Sequence, residues 1–220
     1  MAASTAERYQ STARLYDAPI TRWGRTAKRT VDVTGSAFLL VLLMPVIVVL
    51  IFLIRLEDGA PAIYRRRVIG PRGEFDAFKL RSMRVDADKI LERDPVLRKE
   101  FEINFKLKND PRITRIGAFI RKLSLDELPQ LFNVLRGQMS LVGPRMITSA
   151  ELEKYGEAGW IFSSMKPGLT GYWQVSGRQE VSYSERVEMD LHYVTNWSLR
   201  MDARILLQTP VRVLRAAGAY

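Results

Sequence analysis

The 220-residue chain contains no cysteine and one histidine, His192. It therefore has no disulfide staple, thiol nucleophile or thiolate zinc site. A single histidine also argues against a His-rich metal centre or a Ser-His-Asp triad. Any acid–base or nucleophilic chemistry must therefore rest mainly on carboxylates and hydroxyls. Internal repeats and low-complexity tracts are absent too. Positive charge is abundant: 34 Lys+Arg stand against 24 Asp+Glu, for a net charge of +10. That balance points to an anionic partner, whether nucleic acid, a phospholipid surface or a phosphorylated substrate, without choosing among them. The length suits one compact domain, and 47% hydrophobic residues exclude wholesale disorder.

One stretch narrows the choice. Ala37 to Ile54 reads AFLLVLLMPVIVVLIFLI, 18 residues without a charged or polar side chain. As a straight helix it would extend about 27 Å, close to the ~30 Å hydrocarbon core of a bilayer. It begins well inside the chain and no A-x-A-like cleavage site follows, so it does not read as a secretory signal. It can be a spanning helix, a re-entrant helix or a buried core helix. Pro45 divides it into two arms, each long enough for about one leaflet, and proline kinks a helix. Arg22, Arg25, Lys28 and Arg29 precede the run, and Arg55, Arg65, Arg66, Arg67 and Arg72 follow it. Basic flanks prefer the cytoplasm, and here both flanks are basic. Both features favour a re-entrant helix over a kinked span, while a core helix would show a polar face. At its mouth Lys28, Arg29 and Asp32 share a helix face. An acid so close to hydrocarbon needs a partner. The group reads either as a snorkelling anchor or as a dock for a lipid phosphate.

The remainder is soluble in character, and the fold class expected is α+β, mostly helical. A small β element is expected near residues 60–80, where Gly59, Pro61, Gly70, Pro71 and Gly73 break short apolar runs. Asp86 to Leu107 reads as one or two surface helices and Leu125 to Leu135 as another. Ser182 to Asn196 is helical, and so is Met201 to Ala217 with a break at Pro210. Leu141–Pro144 and Lys166–Arg178 read as loops. The C-terminal helix interleaves Arg204, Arg212 and Arg215 with Ile205, Leu206, Leu207, Val211 and Leu214, the pattern of an amphipathic interfacial helix. Three regions result: a flexible segment 1–25, the re-entrant helix 26–56 and a cytoplasmic catalytic domain 57–220.

Asp126 and Glu127 are the strongest candidates for chemistry. Ser124 with Glu127 three residues later forms a capping-box pattern, which would put both acids in a first helical turn where the dipole keeps them ionised. They either complement the dipole or act as a carboxylate nucleophile beside a ligand for a divalent cation. Arg121 and Arg145 lie close by in sequence, and guanidinium forks match phosphate oxygens. Together these suit phosphoryl transfer. The stretch KPGLTGYWQVSGR at 166–178 carries Tyr172, Trp173, Gln174 and Arg178. It reads either as a ligand loop able to stack on and bond a base or sugar, or as a structural turn with a core tryptophan. His192 reads as a helix-face residue.

In this order the segments resemble the bacterial sugar transferase family, small monotopic phosphoglycosyl transferases. The matching stretches are KRTVD at 28–32, the apolar run with its proline, FDAFKLRSM at 75–83 and NDPRITRIGAFIRKLSLDELPQLFNVLRGQMSLVGPR at 109–145. KPGLTGYWQVSGR at 166–178 and DLHYVTNWSLRMDARIL at 190–206 complete the set. The likeness is strongest to the exopolysaccharide-initiating branch, in its short form without extra membrane helices. It implies transfer of sugar 1-phosphate, galactose or glucose, from a UDP-sugar to undecaprenyl phosphate with release of UMP. It further implies Asp126 as nucleophile, Glu127 as the Mg²⁺ ligand, Arg121 and Arg145 on the phosphates, and Asp202 as a functional acid. Lys28, Arg29, Asp32 and Pro45 fall at the membrane mouth, and Gln174 and Arg178 in the nucleotide-sugar loop. The setting implied is the inner membrane with the domain on its cytoplasmic face, in contact with membrane lipids. Nucleic acid is not an expected partner, and a homodimer is left open. The chain departs from the family at 64–70, YRRRVIG, and at 78–81, FKLR, which bears on fine substrate contacts. The rivals are a glycosyltransferase releasing UDP and a basic membrane-tethered binding protein.

Overall fold

The computed structural model describes residues 21–104, 107, 109–176 and 182–214. Helix α1, Arg22–Asp58, dominates the architecture. Thr21 caps it, its hydroxyl accepting from the Gly24 N–H at 3.1 Å. The expected bounds of 26–56 thus widen at both ends, and the helix continues through Pro45 as one element. Among the described residues it is the one helix long and apolar enough to cross a membrane.

Its buried face is a helical stripe of Asp32, Ser36, Leu40, Ile47, Leu50 and Ile54. Phe38, Val41, Val48, Val49, Phe52 and Leu56 are exposed on the remainder. Both arms around Pro45 rest on the same body. Leu40 and Ile47 join the main core with Leu131, Val134 and Leu141, and Leu50 and Ile54 join a second cluster with Leu80 and Ile120. Arg81 closes the far end through an ion pair to Asp58.

The hairpin follows as β1, Ile63–Gly70, and β2, Gly73–Leu80, antiparallel, with Gly70 opposite Gly73 across the Pro71-Arg72 turn. This is the β element expected near 60–80. Two surface helices come next, α2 (Ala87–Arg93) and α3 (Pro95–Asn104). Then come α4 (Arg115–Lys122), a 3₁₀ turn at Leu125–Glu127 and α5 (Gln130–Leu135). The expected helix over 125–135 is therefore broken in two. Ser124 takes φ 55° and makes no side-chain cap, so the Ser124–Glu127 capping box does not form. True capping boxes occur at Thr148–Glu151 and Ser182–Glu185.

Two stretches expected as loops instead form a parallel pair, β3 (Ser140–Val142) with β4 (Gly168–Thr170). Glycine makes this possible by letting backbones touch: a β-carbon on Gly168 would meet Gly143 N at 2.1 Å, and one on Gly143 would meet Lys166 O at 2.4 Å. Around this pair lie α6 (Ser149–Leu152), a 3₁₀ turn at Glu153–Ala158, α7 (Gly159–Ser163), α8 (Tyr172–Ser176) and α9 (Tyr183–Thr195). The last helix, α10, is Leu199–Leu214 and runs on through Pro210 without the expected break. Its Asp202 and Ile205 are buried, and Leu207, Val211 and Leu214 stand exposed on another face.

Candidate active site

The 3₁₀ turn presents Asp126 and Glu127 to strand β2, where Lys79 faces them. Lys79 Nζ donates to Glu127 Oε1 at 2.7 Å and lies 3.8 Å from Asp126 Oδ2. All three side chains are largely buried, at 14%, 12% and 15% exposure for Lys79, Asp126 and Glu127. Lys79 is the member of this cluster that reading the sequence missed. It lies in a strand of alternating period, directly after Phe78, so a lone lysine turned toward the domain was its signal.

Electrostatics split the dyad. Burial pushes the Asp126 carboxyl above the usual aspartate range, and Glu127 adds to this, while Lys79 and Arg121 oppose it. Burial works in the same direction on Glu127, but Lys79, Arg145 and Arg66 outweigh it and hold that carboxyl below its ordinary value. The expectation that a helix dipole keeps both acids ionised is thus corrected. The turn is too short for a dipole, and specific cations set the balance instead.

Arg145 follows β3. Its guanidinium lies 5.1 Å from the Trp173 ring centre, and its backbone N–H donates to Asp190 Oδ1 at 3.2 Å. Arg186 on α9 sits over the same tryptophan at 5.8 Å and over Tyr183 at 4.2 Å. Arg66 on β1 pairs with Glu151 at 3.0 Å, and Arg186 lies 3.8 Å from that carboxylate. Arg145 and Arg66 therefore act on Glu127, Arg121 on α4 acts on Asp126, and Arg186 acts on Arg145. Trp173 is buried within this stack, as the structural reading of its segment expected. Gln174 donates to Leu169 O at 3.3 Å and keeps a buried, unpartnered Oε1. Arg178 lies outside the described residues.

Asp190 is fully buried, and its carboxyl is raised to about 7, chiefly by desolvation, against Arg186, the Arg145 N–H and the Tyr155 hydroxyl. The stability it lends is complete below its unfolded value of 3.8 and is lost as pH rises through about 7. Asp190→Asn keeps an oxygen for Arg145. The melting temperature of the variant should therefore gain on the parent's as pH climbs through that window. A pH-independent difference between the two melts would refute this.

The residues expected at a membrane mouth bond instead to other elements of the fold. Asp32 accepts from Ser140 Oγ at 2.9 Å and Leu141 N–H at 2.8 Å, so its partner is β3 rather than the neighbouring Lys28 or Arg29. Lys28 Nζ donates to Asp202 at 2.6 Å and to Val142 O at 2.8 Å. Arg29 caps α5, donating to Val134 O at 2.6 Å and Leu135 O at 2.8 Å. Asp202, expected on the phosphate side, also accepts from Tyr193 OH at 2.7 Å and Trp197 Nε1 at 3.1 Å. Its bonds tie the start of α1 to α10. Asp110 and Arg112 likewise close a buried bidentate pair at 2.7 and 2.8 Å, which makes the NDPR segment a self-satisfied turn.

An adjacent carboxylate pair, a lysine bridging it and converging arginines form an arrangement suited to a phosphorylated substrate. The comparisons agree with that chemistry. The chain is 54% identical over 202 residues to the UDP-galactose-lipid carrier transferase of Erwinia amylovora, an alignment covering 89% of this chain and 42% of that protein. It is 50% identical to the undecaprenyl-phosphate galactose phosphotransferase of Salmonella typhimurium, over 90% of this chain and 43% of that one. It is 44% identical to the exopolysaccharide production protein ExoY of Rhizobium meliloti, over 90% of this chain and 89% of that protein. The chain thus spans less than half the length of the first two relatives and most of the third. The model of the bacterial sugar transferase family matches residues 23–216, a span that takes in α1, the dyad and α10, and the chain belongs to that family.

Proposed function

We propose that the chain transfers a sugar 1-phosphate, galactose or glucose, from a UDP-sugar to undecaprenyl phosphate, releasing UMP, as the first step of exopolysaccharide assembly. The observation that carries this is the buried Asp126–Glu127 pair, bridged by Lys79 and bordered by Arg121, Arg145 and Arg66. The names of the relatives supply the substrates. An oxygen of Asp126 attacks the β-phosphorus. The bond from that phosphorus to the bridging oxygen breaks, UMP leaves, and a phosphosugar stays on Asp126. An oxygen of undecaprenyl phosphate then attacks the same phosphorus and displaces the Asp126 carboxylate. Arg121 and Arg145 hold the phosphates through these steps, with Gln174 and Arg178 on the nucleotide-sugar side.

The donor set suits Mg²⁺. Among the described residues no group of three or more acids or histidines cages a cation unaided. Mg²⁺ commonly takes one or two carboxylates and completes its shell with phosphate oxygens and water. Glu127 would hold it, and the ion would neutralise phosphate charge. The test of the reaction is nucleotide release. Membranes given UDP-galactose or UDP-glucose with undecaprenyl phosphate should yield UMP, and release of UDP would instead favour a glycosyltransferase.

We also propose that α1 enters the inner membrane from the cytoplasm and returns to it. Its first turns bond to β3, α5 and Asp202, and its last turn pairs with Arg81, so one body holds both ends. A straight helix of 37 residues would be about 55 Å long and would carry its ends to opposite sides of a bilayer. Leu207, Val211 and Leu214 on α10 then lie in the interface beside Arg204 and Arg212. Single cysteines introduced near the N-terminus and at residue 60 should react with a membrane-impermeant label from the same side. Labelling from opposite sides would overturn the topology.

A further inference from the structure

Cations from distant parts of the chain meet beside the first turns of α1. Lys166, in the loop before β4, is half-buried and feels Arg29 of α1, Arg72 of the hairpin turn and Lys28. Burial, reinforced by these like charges, pushes its ammonium below the usual lysine range, and Asp32 opposes the shift. Asp32 is already bonded to Ser140 and Leu141, and Lys28 to Asp202 and Val142. Lys166 Nζ has no hydrogen-bond or ion-pair partner among the described residues.

Gly137 lies beneath this cluster with φ 76°, a conformation that favours glycine. A β-carbon there would lie 3.5 Å from Arg29 Nη2 and 3.6 Å from Lys166 Nζ. The two cationic groups therefore border the same point and stand no more than about 7 Å apart. A phosphate can bridge such a gap by accepting one charge-assisted bond of roughly 2.8 Å on each of two oxygens. Arg29 spends two bonds on α5 carbonyls, and its fork has five N–H donors. On the proposed seating of α1, this point also lies near the membrane surface. On α1, Arg29 lies between Trp23 and Phe38, 73% and 66% exposed, with Val31 and Val33 exposed between them.

We propose that Arg29 and Lys166 form, over Gly137, a binding site for the phosphate headgroup of a membrane lipid, apart from the arginines that serve the dyad and with the charge of Arg72 felt at Lys166. The proposal rests on the reading of α1 as seated in the membrane. It does not need turnover, so it can be tested whether or not UMP is released. The full-length protein, purified in a non-ionic detergent, is offered phosphatidylglycerol, a polyprenyl phosphate or, as a phosphate-free control, diacylglycerol. Lipid retained on the intact protein is counted by native mass spectrometry. Both phosphate-bearing lipids should be retained and diacylglycerol should not. Lys166→Gln combined with Arg72→Gln should lower retention of phosphatidylglycerol, which is not the acceptor at the dyad, about tenfold, and Lys166→Arg should keep it. Displacement by excess inorganic phosphate would show that the site reads phosphate alone, and resistance would show that the lipid chains contribute. Equal retention by the parent and the double variant, at matched melting temperatures, would overturn the site. So would equal retention of diacylglycerol.

Discussion

Replacing Asp126 with asparagine is expected to abolish UMP release and leave the protein at least as stable as before. The side chains are nearly isosteric, so the loss falls on the nucleophile, and a fall of at least ~10³-fold in turnover is expected. The stability argument is separate. Burial raises the Asp126 carboxyl, which means the fold favours its neutral form, and asparagine is permanently neutral. Glu127→Gln should behave in the opposite way. That carboxyl is held ionised and bonded to Lys79 at 2.7 Å, so neutralising it strands a buried ammonium and lowers the melting temperature. It should also raise the Mg²⁺ concentration needed for half-maximal rate by tenfold or more. Two adjacent carboxyl-to-amide changes with opposite effects on stability form a signature that mere fold support would not give. Appreciable activity in Asp126→Asn would overturn the nucleophile, and an unchanged Mg²⁺ titration in Glu127→Gln would overturn the metal role.

The parts of this molecule legible in the sequence were those written locally. The apolar run of α1 declares itself by composition, and the hairpin by glycine and proline between short runs. Asp126 and Glu127 stood out as adjacent acids among arginines. What stayed hidden depended on long-range partners. Asp32 shares a helix face with Lys28 and Arg29, so local spacing pointed to them, yet its bonds go to Ser140 and Leu141. Lys28 looked like a snorkelling or docking cation and is consumed by Asp202, far along the chain. The Ser124–Glu127 pattern matched a capping box, but Glu127 is drawn to Lys79 and Ser124 adopts a left-handed turn. The β3–β4 pair was hidden by its glycines, which read as loop yet here permit close backbone approach. Glu151 sits in a capping-box pattern and Asp190 in the 190–206 stretch, yet neither pattern tells of their links to Arg66, Arg145 and Arg186, which only the fold brings together.

Lys79 is the sharpest test of the site, because among the described residues it alone pairs with both acids. Lys79→Met keeps the length and apolar stem and deletes the charge. Without it Asp126 loses the largest influence opposing its burial, and Glu127 loses both its hydrogen bond and its nearest cation. A nucleophile must be ionised to attack, so the acidic limb of the pH–rate profile should move upward by about one unit or more. At neutral pH this protonation and the unbalanced negative pair together should cost at least ~10²-fold in UMP release. The sign follows from the direction of the Asp126 shift: a carboxyl already raised is raised further, so activity is lost first at low pH and partly regained at high pH. Lys79→Arg should hold the limb near its original position, since the charge remains. A purely structural lysine would instead lower the melting temperature of Lys79→Met and leave the limb in place, and that result would remove Lys79 from the site.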